Sequence, residues 1–437
     1  MFFLSLLCVA ASLARSHAGP TPSIGYGADI SAFEVHSLPE VHFDVPRSYA
    51  GEIPIPGKSD DNLFFWLFES ENAAQSNELI IWLNGGPGCS SMTGVALENG
   101  PFVFPNSTTP SKNPFSWTKL ANVLYIDQPV GAGYSFGSDA ADNNNEVTDD
   151  FFYWLQAFYK IFPDLKAKRT FLAGESYAGT YIPYFTDRLL KSQGELAINL
   201  QGISIGDPTI GNYAAAFDVG ISTFLHQSNS ILEIPEDILQ TFTEADKKCG
   251  FDKVLAQASY PPQGPISIPG NPEGENFRRT KRQSDASTPC DIAPTTSALI
   301  KQSINGACYG SCATFSTAAD YLLAVKPCFN DYNIDYTCTT TPDSVDPVNW
   351  FNRPDVRKVI HAENKTFEAC NTTILDTLGS ELVTPPTYSI LPCILNQLPV
   401  HIYSGSYVRL PHNHSSPSLF TLLTIEIAGF HAQSYRY

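Results

Sequence analysis

Arg169-Thr170-Phe171-Leu172-Ala173-Gly174-Glu175-Ser176-Tyr177-Ala178-Gly179 is the stretch on which the reading of this chain turns. An apolar, β-leaning run stops at a glycine, a serine occupies the turn, and small residues lead into a helix-capable segment, Thr180 to Lys191. That order is strand, sharp bend, helix, the setting in which a hydroxyl is held at the carboxyl edge of a sheet. Backbone N–H groups and the helix N-terminus then face whatever the serine attacks. The usual pattern carries a second glycine two residues after the serine, where this chain has Ala178. A tight turn with an incidental serine is the plainer reading, and the neighbouring sequence decides between the two.

Working outward, strands are expected at residues 60–70, 78–84 (Glu78-Leu79-Ile80-Ile81-Trp82-Leu83-Asn84), 123–127 and 202–206. The run at 78–84 is almost continuously apolar, as a strand covered on both faces requires. Between them Val147 to Phe162 repeats Phe151, Trp154, Leu155, Phe158 and Ile161 at helical spacing before Pro163, which predicts an amphipathic helix whose aromatic stripe is core. Strands alternating with helices predict an α/β chain with a doubly wound, mainly parallel sheet.

The pattern changes after about Gly211. Residues 213–340 hold six of the cysteines, short helical pieces and a Pro/Gly-rich stretch from Tyr260 to Gly274, the composition of a disulfide-stapled insertion. Inside it lies Arg278-Arg279-Thr280-Lys281-Arg282. A solvated loop is the plain reading; cleavage after Arg282 by a kexin-like protease, leaving two disulfide-linked chains, is the alternative. The sheet pattern resumes near Trp350, with a helix at Asp355 to His361 and a core strand at Leu398 to Tyr403. The expected organisation is a leader at 1–18, a first core part at 19–212, a cap-like insertion at 213–345, and a second core part at 346–437 that is atypical after about 405, where the sheet is incomplete.

A formal charge of −18 over 437 residues makes nucleic acid and anionic membrane surfaces poor partners. Aromatic content of 12% beside only 16% charged residues argues for a filled core. Met1 to Leu13 is apolar but too short to span a bilayer, and Ser16-His17-Ala18 offers small residues for leader cleavage near Ala18. No later segment reads as a membrane span. A soluble product of the secretory route, extracellular or vacuolar, follows. Sequons at Asn106, Asn364, Asn371 and Asn413 agree with it. Cys8 leaves with the leader, so Cys89, Cys249, Cys290, Cys308, Cys312, Cys328, Cys338, Cys370 and Cys393 remain, mostly paired in an oxidising compartment, with one left over. No CxxC pair points to zinc, and neither metal nor cofactor is expected.

Trp82-Leu83-Asn84-Gly85-Gly86-Pro87-Gly88-Cys89-Ser90-Ser91 places three glycines in four positions directly after a buried strand. Such a loop brings bare backbone N–H groups close to a ligand, as an oxyanion hole requires. Together with the Ser176 turn it resembles the serine carboxypeptidase family, peptidases of the α/β-hydrolase fold. Asp127 to Ser135, Gly206 to Gly211, Cys328 to Tyr332 and Phe351 to Val356 resemble further family segments, so the likeness runs from about residue 40 to 405. The resemblance implies Ser176 as nucleophile and the N–H groups of Gly86 and Tyr177 as the oxyanion hole. It implies Asn84 and Glu175 as the groups that hold a substrate's free C-terminal carboxylate, supported by Glu98, and a disulfide between Cys89 and Cys370. The implied function is release of C-terminal residues from peptides through an acyl-enzyme. A carboxylate facing another carboxylate binds best when one is protonated, so an acidic optimum is expected.

The chain departs from the family at its end. A Ser/Ala-Gly-Asp-x-Asp segment is implied after the strand at 398–403, but Tyr403-Ser404-Gly405 continues as Ser406-Tyr407-Val408. Neither Ser406 nor Val408 supplies a carboxylate. The family's histidine stands in a Gly-His-x-x-Pro setting; here only Gly429-Phe430-His431 offers one, with no proline after it, so His431 is the candidate base and no catalytic Asp is found. Three explanations compete: a mis-spliced or frame-shifted C-terminus from about Ser406, a pseudo-enzyme that still binds peptide C-termini, or an unrecognised acid paired with His431. An acyltransferase on the same scaffold is a further alternative.

Overall fold

A computed structural model of the chain describes residues 30–105, 108–210, 214–257, 294–305, 312–326, 328–330, 333–335, 347–362, 364–379 and 387–404. The expected leader, Asn106, the basic stretch ending at Arg282, Ser406, Val408, His431 and Asn413 lie outside the described residues.

Ten strands are described: β1 (Glu34–Val35), β2 (Ser48–Pro54), β3 (Asn62–Phe68), β4 (Glu78–Leu83), β5 (Phe102–Val103), β6 (Ser111–Lys112), β7 (Asn122–Ile126), β8 (Arg169–Glu175), β9 (Leu200–Gly206) and β10 (Val400–Tyr403). Eight form one sheet in the order β1-β2-β3-β7-β4-β8-β9-β10, and β5 pairs with β6 apart from it. The β1–β2, β2–β3 and β3–β7 pairs are antiparallel, whereas β7–β4, β4–β8, β8–β9 and β9–β10 are parallel. The fold is therefore α/β with a mainly parallel sheet.

The residue alternation of β3 shows how the sheet is covered. Phe65 and Leu67 enter one buried cluster, while Phe64, Trp66 and Phe68 enter the cluster on the other face. Side chains two apart share a face, so a strand buried on both sides must be apolar throughout. The first cluster is closed by α1 (Asn144–Ile161) and α2 (Ala178–Lys191). Phe151, Trp154, Leu155 and Phe158 of α1 are each no more than 1% exposed, and the Phe151 ring stacks on Phe185 of α2 at 4.0 Å. Asn143 caps α1, its side-chain oxygen accepting from the N–H groups of Asn145 and Glu146.

Six further helices follow β9: α3 (Ile221–Gln227), α4 (Asn229–Leu232), α5 (Glu236–Cys249), α6 (Phe251–Gln257), α7 (Ser297–Ile304) and α8 (Thr314–Val325). They gather around buried clusters of their own, built on Phe224, Leu239, Phe242, Ile300, Tyr321 and Leu322 and on Phe251 and Val254. A disulfide joins Cys249 to Cys312 there. The chain returns through α9 (Val348–Phe351), α10 (Pro354–Val359), α11 (Thr372–Gly379) and α12 (Thr387–Leu395) to β10. Trp350 and Phe351 fill the second face of the sheet, and Ile390, Leu391 and Ile394 the first. Among the described residues no helix is long and apolar enough to cross a membrane.

Candidate active site

The site lies where parallel strands end together. In the sheet register Leu83 of β4 stands beside Gly174 of β8, and Glu175 beside Gly206 of β9. Loops leaving these carboxyl ends share one edge, the place where open α/β sheets bind ligands. Ser176 follows β8 with φ of 56°, in the left-handed region that non-glycine residues seldom adopt. Its N–H donates to the Gly206 carbonyl at 3.0 Å, and its own carbonyl accepts from Gly179 and Thr209, each at 2.9 Å. The bend is thus pinned on both sides, α2 begins two residues later, and the Ser176 residue is partly exposed.

The loop after β4 packs against this bend. A Cβ placed on Gly85 would lie 2.4 Å from the Tyr177 nitrogen and 2.9 Å from the Ser176 Cβ, so only a bare backbone reaches this close. Gly86 and Gly88 have φ of 107° and 80°, conformations that favour glycine. The backbone of Gly85 is in this way brought against the Tyr177 nitrogen beside Ser176, and Gly86 is the next residue of that loop. Cys89 and Cys370 form a disulfide, and hydrogen bonds from Ser90 N to Ala369 O (2.8 Å) and Asn371 N to Gly88 O (3.0 Å) flank it. The buried Tyr177 phenol donates to the Leu378 carbonyl at 3.0 Å and accepts from the Asn144 amide at 2.9 Å.

Beside the bend, one side-chain amide joins two acids. Asn84 Nδ2 donates to Glu98 Oε1 at 2.9 Å and to Glu175 Oε1 at 3.1 Å. Asn84 Oδ1 accepts from Trp82 Nε1 at 2.8 Å and from the Gly94 N–H at 3.2 Å. Those two donors fix which way the amide faces, and Asn84 is 3% exposed. Burial pushes the Glu98 carboxyl up to about 7 against the pull of Asn84. Burial, then the charges of Glu98 and Asp207, push Glu175 up to about 8. Near neutrality and below, the pair therefore holds protons that it can donate to an incoming carboxylate.

Three residues at the same edge escaped the sequence reading. Asp207, with φ of 41°, donates its N–H to the Tyr403 carbonyl at 2.9 Å and accepts from the Ser404 hydroxyl at 2.6 Å. Tyr403 packs its ring over Gly206, where an added Cβ would lie 2.6 Å from Cζ. Burial, followed by Glu175, Glu98 and Asp207, raises its phenol above the usual range. The signal that could have found them is positional: Asp207 directly follows β9, which pairs with β8, and Tyr403 and Ser404 stand at the carboxyl end of β10, the next parallel strand. His401 lies within β10 with Nδ1 2.9 Å from the Ser204 hydroxyl, away from these groups in the sheet register. The candidate base His431 and the positions of the implied acid, 406 and 408, lie outside the described residues. Among the described residues, no group of three or more His, Cys, Asp or Glu side chains is arranged to hold a metal ion.

Comparison with known proteins gives one direction. The family model described as serine carboxypeptidase matches residues 39–409. A carboxypeptidase Y homolog of Arthroderma benhamiae is 42% identical over 395 residues, covering 86% of this chain and 78% of that protein. A second homolog of the same name and organism is 35% identical over 338 residues, covering 77% of this chain but 60% of that protein's length. Among solved structures, a prohormone-processing carboxypeptidase of Saccharomyces cerevisiae superposes with a TM-score of 0.64 at 23% identity, covering 89% of this chain and 80% of that one; it supports the fold.

Proposed function

We propose, for a chain that belongs to the serine carboxypeptidase family, that it removes C-terminal residues from peptides through an acyl-enzyme on Ser176. The observation that carries this reading is the Asn84 bridge between Glu98 and Glu175, placed one residue from the Ser176 bend. An esterase acting on neutral substrates has no use for a protonated acid pair at that position; a peptidase that must recognise a free α-carboxylate does.

In this reading the substrate's terminal carboxylate accepts a hydrogen bond from the protonated Glu175 carboxyl, and a second from the Asn84 amide once one of its two N–H groups leaves Glu98 or Glu175. Ser176 Oγ attacks the last peptide carbonyl and gives its proton to a base. The N–H groups of Gly86 and Tyr177 stabilise the tetrahedral oxyanion. Collapse breaks the C–N bond, the departing amine takes up the proton, and the C-terminal residue leaves. Water then attacks the ester, returning a proton to Ser176 and releasing the shortened peptide. His431 is the candidate base, and the sequence after residue 404 supplies no Asp to orient it.

A second reading rests on one observation in the sequence, the absence of a carboxylate at Ser406 and Val408. The chain is then a binder of peptide C-termini that keeps the recognition pair without turnover. Labelling with a fluorophosphonate separates the two. The peptidase reading expects covalent modification at Ser176, blocked by Ser176→Ala; an unlabelled, folded protein that still binds peptides with a free C-terminus favours the binder. In either case the chain enters the secretory route, as its apolar first residues and its sequons support.

A further inference from the structure

Two sequons stand seven residues apart in the segment that leads back to the sheet, Asn364-Lys365-Thr366 and Asn371-Thr372-Thr373. They are chemically equivalent in sequence and differently placed in the fold. N-glycosylation transfers an oligosaccharide from a lipid pyrophosphate donor to an asparagine amide. The sugar's C1–O bond to pyrophosphate breaks, a C1–Nδ2 bond forms, Nδ2 loses a proton, and the lipid pyrophosphate departs. The modified nitrogen must afterwards point into open solvent.

Asn364 meets that condition. It is exposed, and its one described side-chain hydrogen bond runs from Nδ2 to Glu52 Oε2 at 2.6 Å. That hydrogen bond lies at the surface, so a sugar on the amide can displace it without opening the fold. The next residue secures the loop beneath it: the Lys365 ammonium donates to the carbonyls of Gly131 (2.6 Å) and Ser135 (3.0 Å).

Asn371 does not meet it. Its Oδ1 accepts from the N–H groups of Thr373 (3.0 Å) and Ile374 (3.3 Å) at the start of α11, while Nδ2 donates to the Gly131 carbonyl at 3.1 Å. Both ends of the amide are therefore fixed, with the nitrogen aimed at the carbonyl that also receives Lys365. The backbone N–H of Asn371 holds Gly88 at 3.0 Å, immediately after the Cys370 disulfide. Ile374 of the same turn lies against Gly88, where an added Cβ would meet it at 2.7 Å. Asn371 is only partly exposed, and a glycan on its Nδ2 would displace the half-buried hydrogen bond to Gly131.

We propose that these two sequons have opposite fates: Asn364 is a carbohydrate-attachment site, and Asn371 is an asparagine whose amide is committed to the fold and stays bare in the native protein. The proposal rests on the secretory reading above. The test is expression of the full chain in a eukaryotic secretory host, followed by glycopeptide mass spectrometry on the disulfide-closed, secreted protein. Glycan at Asn364 and unmodified Asn371 are expected. Thr366→Ala should remove one glycan from the intact mass, whereas Thr373→Ala, which deletes the second sequon and leaves Asn371 in place, should remove none. A glycan on Asn371, or a bare Asn364 in secreted protein, would overturn the assignment. Protein retained in the cytosol with its first residues attached would overturn the secretory reading along with it.

Discussion

Glu175 Oε1 accepts a hydrogen bond from the Asn84 amide at 3.1 Å, and the same amide holds Glu98 at 2.9 Å, so two acids share one neutral bridge. Burial and the neighbouring acids raise Glu175 to about 8 from an ordinary value of 4.5. The sign follows from which state keeps the proton. Between about 4.5 and 8 the folded chain holds a proton that the unfolded chain has released, so this group's contribution to stability falls as pH rises through that window. Recognition of a carboxylate follows the same direction, because the protonated acid donates and the ionised one repels. For a C-terminally free peptide, KM should be low at pH 5 and rise above pH about 7. In Glu175→Gln, which donates at any pH, the rise should flatten while kcat keeps its profile. A KM profile that is unchanged in the variant would remove Glu175 from carboxylate recognition.

Gly85 has no room for a side chain. Its Cβ would lie 2.4 Å from the Tyr177 nitrogen and 2.8 Å from the Glu175 carbonyl oxygen, both backbone atoms that cannot step aside. Gly85→Ala should therefore push the loop after β4 away from the Ser176 bend and separate the two candidate oxyanion donors. Losing one such donor costs about 10²–10³ in rate. The expected outcome is a fluorophosphonate reaction at Ser176 slowed by about that factor, with near-unchanged far-ultraviolet circular dichroism. Labelling at the parental rate would show that this loop does not set the donor geometry.

The Tyr177 phenol ties the bend to two distant elements, through the Leu378 carbonyl at 3.0 Å and the Asn144 amide at 2.9 Å. Tyr177→Phe keeps the ring and deletes both contacts in a buried setting. Removing such a bond costs about 1–3 kcal/mol when its partner is left buried. A lower melting temperature should be accompanied by a lower kcat with little change in KM, since the Tyr177 N–H is the group displaced and the Asn84 bridge is untouched. Tyr177→Trp should not restore the rate, because its N–H cannot accept from Asn144.

What could be read along the chain, and what could not, divides by the range of the contacts involved. β4 was legible because its run is almost continuously apolar, β8 because its apolar run stops at the Gly174 turn, and α1 because its aromatic residues recur at helical spacing. β2, Ser48-Tyr49-Ala50-Gly51-Glu52-Ile53-Pro54, carries no such signature; it is a strand because seven of its residues pair with β3. The same holds within the site. Ser176, Gly86 and Asn84 stand in dense local motifs. Asp207 meets Ser404 across 197 residues, and Tyr177 meets Leu378 across 201, contacts that only the assembled sheet creates. The loss of the implied acid at 406 and 408 was visible in the sequence, since a missing carboxylate is a matter of residue type alone.

Cys89 and Cys370 lie 281 residues apart, and their disulfide joins the loop after β4 to the segment that enters α11. Cross-linking so long a loop constrains the unfolded chain, and removing a native disulfide of this kind costs about 2–5 kcal/mol. The bond also has a local effect, because the flanking hydrogen bonds Ser90–Ala369 and Asn371–Gly88 depend on the two segments staying in contact. Replacing both cysteines by alanine should lower the melting temperature and slow phosphonate labelling of Ser176 together. The disulfide Cys249–Cys312 is the control, since it joins α5 to the segment before α8, within separate buried clusters. Its double alanine variant should lose stability and retain the labelling rate at a temperature where both remain folded. Equal slowing in the two variants would mean that the Cys89–Cys370 bond acts only through global stability, not by holding the loop after β4 against the Ser176 bend.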